Sequence, residues 1–181
     1  MPHLLLRELP RFECLLNAAE KYPTLNPSSA EAFLNLLRTS DLVFEAESLH
    51  LGKYGISQGR FTVLMLLSRM CEESLSPAEL ADKSGVTRAT MSGLLDTMER
   101  DGLVTRTMSP TDRRAVEVVL TAAGHELVDT ILPGYFTRVE EIISPLSSSE
   151  RMLFVTLLQK IQATFVDSTP DLETAAHFFK S

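Results

Sequence analysis

Six basic residues between positions 83 and 114, set among small and hydroxyl-bearing neighbours, are the side chains of this 181-residue chain whose types and spacing best suit chemistry, and that chemistry is contact with a polyanion. Thr87-Arg88-Ala89-Thr90 runs into Ser92 and Gly93. Arg88 supplies a charge with reach, the hydroxyls can donate to phosphates or base edges, and the small residues let a backbone come close to them. Further along, Asp112-Arg113-Arg114 follows Ser109-Pro110-Thr111, a turn composition that sets both arginines at or near a tip. A guanidinium there suits a narrow minor groove or a phosphate pair, and the neighbouring Asp112 can hold its fork in place.

The elements that position these residues announce themselves locally. Ser76, Pro77 and Glu79 occupy N-cap, first-turn and N3 positions, a capping box opening a helix with Leu80 and Ala81 inward. Gly85 supplies a turn, and Thr87 caps a second helix whose Met91, Leu94, Leu95 and Met98 repeat at the spacing of one buried face. Ala89, Ser92 and Gly93 lie opposite that stripe, Thr90 on its flank, and Arg88 in the exposed first turn, where free amides and the positive helix end also face outward. Past Gly102 the period changes: residues 103–106 and 115–120 are β-favouring runs on either side of the Arg-bearing turn. Two helices joined through glycine and followed by a hairpin make a winged helix-turn-helix, a layout for holding duplex DNA.

Asp112-Arg113-Arg114 followed by Leu120-Thr121 fits the D-x-R-x5-L-T pattern of MarR-type (multiple antibiotic resistance) regulators, with Gly124 where that family usually has glycine, and the whole chain resembles that family. The resemblance implies a mostly α (α+β) fold: a winged helix-turn-helix core over 57–121 with a support helix at 57–69, a first dimerisation helix over 31–50, and two more over 121–165. Residues 1–30, expected to be helical, and 166–181 are extensions outside the 31–165 domain. It also implies that Thr87, Arg88, Ala89, Thr90 and Ser92 face the major groove, that Arg114 enters the minor groove oriented by Asp112, and that Arg106 and Arg113 contact the DNA backbone. The expected function is that of a transcription regulator, a repressor by preference, that binds a pseudo-palindromic operator as a homodimer and answers a small-molecule effector. Phe44, His50, Tyr54, Arg60 and Met65 are expected near the effector pocket, where an arginine among aromatic rings suits a phenolic carboxylate; they read equally well as plain core and loop.

The net charge of −7 is at first sight wrong for a partner of DNA, yet residues 83–114 carry +2 and the rest −9. Phosphate attraction acts within about a Debye length, ~8 Å at physiological salt, so the local excess is what counts. A small excess means few phosphate contacts per subunit, which a dimer doubles. With 44% hydrophobic residues, no membrane-spanning apolar run and no secretory h-region after Leu4-Leu5-Leu6, the chain is expected to be globular and cytoplasmic.

Outside the module, Phe33, Leu36, Leu37, Val43 and Phe44 form an expected inward stripe, and Phe61, Leu64, Leu67 and Met70 another. Ser147 and Glu150 repeat the capping box ahead of Leu153, Leu157, Leu158 and Ile161, again an expected core face. The apolar ends, Leu4 to Leu6, Phe12, Leu15 and Leu16 at one and Phe178 and Phe179 at the other, need partners that a second subunit supplies best, with folding back on the same subunit as the alternative. Pro133-Gly134 must kink or break the helix around it, as a hinge or as a packing accommodation.

Other signals weigh less. Gly55-Ile56-Ser57-Gln58-Gly59 matches the G-x-S-x-G nucleophile elbow, but a helix end precedes it where a strand is needed, so Ser57 reads as a helix N-cap and no enzyme is expected. The four histidines stand singly, at no metal-ligand spacing with either cysteine, and neither metal nor cofactor is expected. Cys14 lies in an apolar run that favours inert burial, and Cys71 beside Glu72 and Glu73, whose charge discourages a thiolate. The rival class is a winged helix used only for protein association or nucleoprotein architecture, without an effector; a basic wing and small exposed residues on the second helix favour DNA.

Overall fold

The computed structural model describes residues 8–69, 74–108 and 116–166. The elements run α1 (Phe12–Lys21), α2 (Pro27–Gly52), α3 (Gln58–Arg69), α4 (Pro77–Ser84), α5 (Arg88–Arg100), β1 (Val104–Met108), β2 (Val116–Leu120), α6 (Ala122–Ile143) and α7 (Ser148–Val166). Two compact units divide between Tyr135 and Phe136, inside α6.

The first unit holds the core. Val63 and Leu64 of α3, Leu80 of α4, and Met91 and Leu95 of α5 have no exposed surface, and Val118 of β2 and Ile131 of α6 join them. Burying side chains of this size stabilises by roughly 1.5–3 kcal/mol each. Strands β1 and β2 pair antiparallel from Val104↔Leu120 to Met108↔Val116, and Leu75 bridges Val118 as a short third rung, its carbonyl accepting the Val118 amide at 2.8 Å. That rung ties the hairpin to the segment leading into α4.

Only Thr121 separates the end of the hairpin from the start of helix α6. The Thr121 hydroxyl accepts the Gly124 amide at 3.1 Å and donates to the Gly102 carbonyl at 2.6 Å, while the Thr121 amide reaches the Leu103 carbonyl at 3.1 Å. One threonine therefore caps α6 and fastens it to the root of β1.

Several expectations are corrected here. Helix α2 begins at Pro27, before the expected residue 31, because Asn26 caps it by accepting the Ser29 amide at 3.1 Å and Pro27 fits the first helical position. On its stripe Leu36, Leu37 and Val43 are half-buried, but Phe33 and Phe44 are exposed, at 59% and 47%. In the second unit, Leu153, Leu157 and Ile161 of α7 are exposed too, with Met152 and Phe165 beside them. These are apolar faces that the described residues do not cover. Cys14 is exposed where burial was expected: Leu15, one residue on, is the α1 residue turned inward, so Cys14 faces out. Helix α6 passes through Pro133 without breaking. Met70, Cys71, Leu4 to Leu6, Phe178 and Phe179 lie outside the described residues.

Candidate nucleic-acid interface

The site is built on two short helices whose ends are fixed by hydrogen bonds. Ser76 accepts the Glu79 amide at 3.3 Å while Glu79 accepts the Ser76 amide at 2.8 Å, the reciprocal box that starts α4. The Ser76 hydroxyl and amide hold the Glu79 carboxyl below its ordinary value, with Lys83 adding to the effect. Gly85 ends α4 with φ 64° and ψ 31°, left-handed backbone that only glycine enters without strain, and so turns the chain into α5.

Thr87 caps α5, accepting the Thr90 amide at 3.1 Å, and its hydroxyl lies 2.8 Å from that of Thr90. Met91, Leu95 and Met98 are buried. Thr87, Arg88, Ala89, Thr90 and Ser92 are all exposed, as is Gly93, and the first turn carries no acidic residue of its own to offset its positive end. The five positions expected to read DNA thus share one open end of one helix. Of the expected wing residues, Asp112, Arg113 and Arg114 lie outside the described residues.

Arg106, on β1, does not hang free. Its guanidinium donates to Asp96 Oδ1 at 2.7 Å and to Glu99 Oε2 at 2.9 Å, and its backbone amide donates to Glu99 Oε1 at 3.2 Å. Hydrogen bonding to Asp96, ahead of the charges of Glu99 and Asp96, outweighs desolvation and raises the arginine above its ordinary value. Arg60, in the first turn of α3, is likewise engaged, 2.5 Å from Asp101 at the C-cap of α5. Sequence reading missed these partners, although the i, i+3 spacing of Asp96 and Glu99 on α5 was a signal for the first pair.

Of the residues expected near an effector, His50 and Tyr54 are brought together, rings 5.5 Å apart and edge to face. His50 is 9% exposed, its Nε2 has no hydrogen-bond partner among the described residues, and a β-carbon on Gly134 would stand 2.9 Å from its Cε1. Beside it Glu47 accepts from Gln58 at 2.8 Å and from the Tyr135 hydroxyl at 3.4 Å, and Tyr135 packs on Phe61, ring centroids 4.9 Å apart. Glu47, Gln58 and Tyr135 were not anticipated. Met65 is half-buried against the core, and Phe44 is largely exposed.

Ser57 settles the elbow motif. Its hydroxyl accepts the Arg60 amide at 3.4 Å at the start of α3, and helix α2, not a strand, precedes it. Among the described residues no three His, Cys, Asp or Glu side chains gather as a metal site, and no helix is long and apolar enough to cross a membrane.

Residues 56–116 match the sequence profile described as MarR family. The HTH-type transcriptional repressor YetL of Bacillus subtilis (strain 168) is 35% identical over 153 residues, 84% of this chain and 92% of that protein. Among solved structures, the transcriptional repressor CouR bound to a 23-mer DNA duplex is 27% identical, with a TM-score of 0.63 over 71% of this chain and 89% of that one. AbsC, a MarR family transcriptional regulator from Streptomyces coelicolor, superposes with a TM-score of 0.74 at 22% identity, covering 79% of this chain and 97% of its own.

Proposed function

The chain belongs to the MarR family of DNA-binding transcription regulators and is not an enzyme, and we propose that it acts in the cytoplasm as a homodimeric repressor of a pseudo-palindromic operator. One observation carries this reading: the exposed, capped and acid-free N-terminal half of α5, where Arg88, Thr90 and Ser92 stand around Ala89 and Gly93. In the proposal Thr87, Arg88, Ala89, Thr90 and Ser92 face the major groove, and Arg113 and Arg114, with Asp112, serve the backbone and the minor groove. The exposed apolar residues of α2 and α7 are covered by a second copy. Two-fold symmetry then sets the two recognition helices about one helical turn of DNA apart, ~34 Å.

The proposal extends to an effector of aromatic carboxylate or phenol type. The buried, unpartnered Nε2 of His50 and the neighbouring Tyr54 supply its polar contacts, and Phe44 and Met65 its apolar ones. An effector carboxylate that reaches Arg60 competes with Asp101 and so acts on the end of the recognition helix.

The test is a titration of the protein against a selected operator and its single-base variants. Arg88→Ala relaxes preference at particular positions by about 1–3 kcal/mol per base pair. Uniform loss with unchanged base preference would show that α5 does not read the groove.

A further inference from the structure

We propose that Arg106 is a positioning residue for DNA binding, a clasp that fixes the hairpin against the recognition helix, and that its charge serves Asp96 and Glu99 where a phosphate contact was expected. The role presupposes the DNA-binding reading above.

Register explains how the clasp forms. Arg106 pairs with Val118 and, by strand alternation, shares a face with Val104; both valines are buried, at 0% and 2% exposure. The stem of Arg106 is thereby directed over the core toward α5, and 28% of the side chain stays exposed. Three donors of one residue, two on the guanidinium and one on the backbone, reach two carboxylates spaced i, i+3 on α5. Both Glu99 oxygens are used, one by the backbone and one by the side chain. A planar fork suits this arrangement in a way a lysine does not.

Charge supports the assignment. The C-terminal half of α5 carries Asp96 and Glu99, with Asp101 at its C-cap, three carboxylates against the single Arg100 and an unfavourable set on an element that approaches DNA. Arg106 answers the first two and Arg60 the third. Removing Arg106 bares two carboxylates and frees the outer part of β1 from α5, while Leu75 and the buried Val104 and Val118 still hold the root of the hairpin; a bond that adds little to global stability thus still sets the angle of the outer hairpin.

The experiment uses the full chain, an operator recovered by selection from random duplexes with the wild type, and a random-sequence duplex as reference. The variants are Arg106→Gln, Asp96→Ala/Glu99→Ala and the triple. Arg106→Gln should lower the operator-to-random affinity ratio by about tenfold, leaving the melting temperature near the parent's. Its slope of log affinity against log salt should match the wild type, since no phosphate partner is lost. Asp96→Ala/Glu99→Ala should bind the random duplex more tightly, having shed negative charge, yet lose a similar share of the ratio; the triple should lose no more than Arg106→Gln. A slope flattened by about one unit with the ratio unchanged makes Arg106 a phosphate contact and overturns the clasp. So does an equal gain for operator and random duplex in Asp96→Ala/Glu99→Ala. A wild type that binds no duplex overturns the DNA-binding reading itself, a result distinct from either of these.

Discussion

Gly124 stands so close to Leu103 that a β-carbon on it would lie 2.2 Å from the Leu103 carbonyl oxygen. The obstacle is backbone, held by the Thr121 amide at 3.1 Å, so it cannot step aside as a side-chain tip could. This contact joins the first turn of α6 to the root of the hairpin, and it gives the Leu-Thr-x-x-Gly run of residues 120–124 a physical reason: threonine caps, glycine admits the carbonyl.

Gly124→Ala should therefore cost about 3 kcal/mol of folding stability, the upper part of the usual range for overpacking. Urea unfolding followed by circular dichroism checks it. A midpoint indistinguishable from the parent's would mean that α6 and β1 can separate freely.

Thr87 joins helix capping to the proposed DNA-reading surface. Thr87→Ala removes the cap of α5 and the hydroxyl paired with Thr90, and should cost about 1 kcal/mol of stability. Thr87→Ser retains an acceptor and should restore most of it. Thermal melts of the two variants decide whether the hydroxyl or the methyl group matters.

Acid should weaken the two capping boxes. Glu79 and Glu150 are both held below the ordinary carboxylate value, each first by the side chain and then by the backbone amide of its serine, Ser76 and Ser147. A carboxylate whose folded value is depressed contributes stability that is complete above its unfolded value and is lost as pH falls through the folded one. The effect therefore belongs to the window below about pH 4.5, the ordinary glutamate value. Glu79→Gln/Glu150→Gln should lose less stability than the wild type between pH 5 and acid, read as urea midpoints. Parallel pH profiles would remove the boxes from the acid response.

Assembly is read by mass. Light scattering at micromolar concentration should report about twice the 20.1 kDa chain mass. Leu157→Glu/Phe165→Glu, which charges the uncovered face of α7, should shift it toward the single-chain value while helical circular dichroism persists. A wild-type monomer would remove the dimer from the proposed function.

The recognition module was legible because its determinants are local. A capping box at Ser76 and Glu79, a left-handed glycine at 85 and a threonine cap at 87 are decided by hydrogen bonds spanning a few residues and by backbone sterics, and the apolar period of Met91, Leu95 and Met98 fixes which face of α5 remains open. The start of α2 was equally local, in Asn26-Pro27, but was read later in the chain than it falls.

What the tertiary structure alone decided are relations between segments. Arg106 was legible as a cation; its commitment to Asp96 and Glu99 depends on strand register, which aims its stem at α5. Arg60 and Asp101 are 41 positions apart, and only the packing of α3 beside α5 brings them to 2.5 Å. Periodicity showed that Phe33, Phe44 and Leu157 lie on apolar stripes, yet an apolar stripe carries no record of what body covers it, and the described residues leave them exposed. Hydrophobic burial is non-directional, whereas caps, turns and ion pairs have geometry; the sequence by itself therefore determined the elements and the open face of α5, and the fold decided which charges remain for a partner.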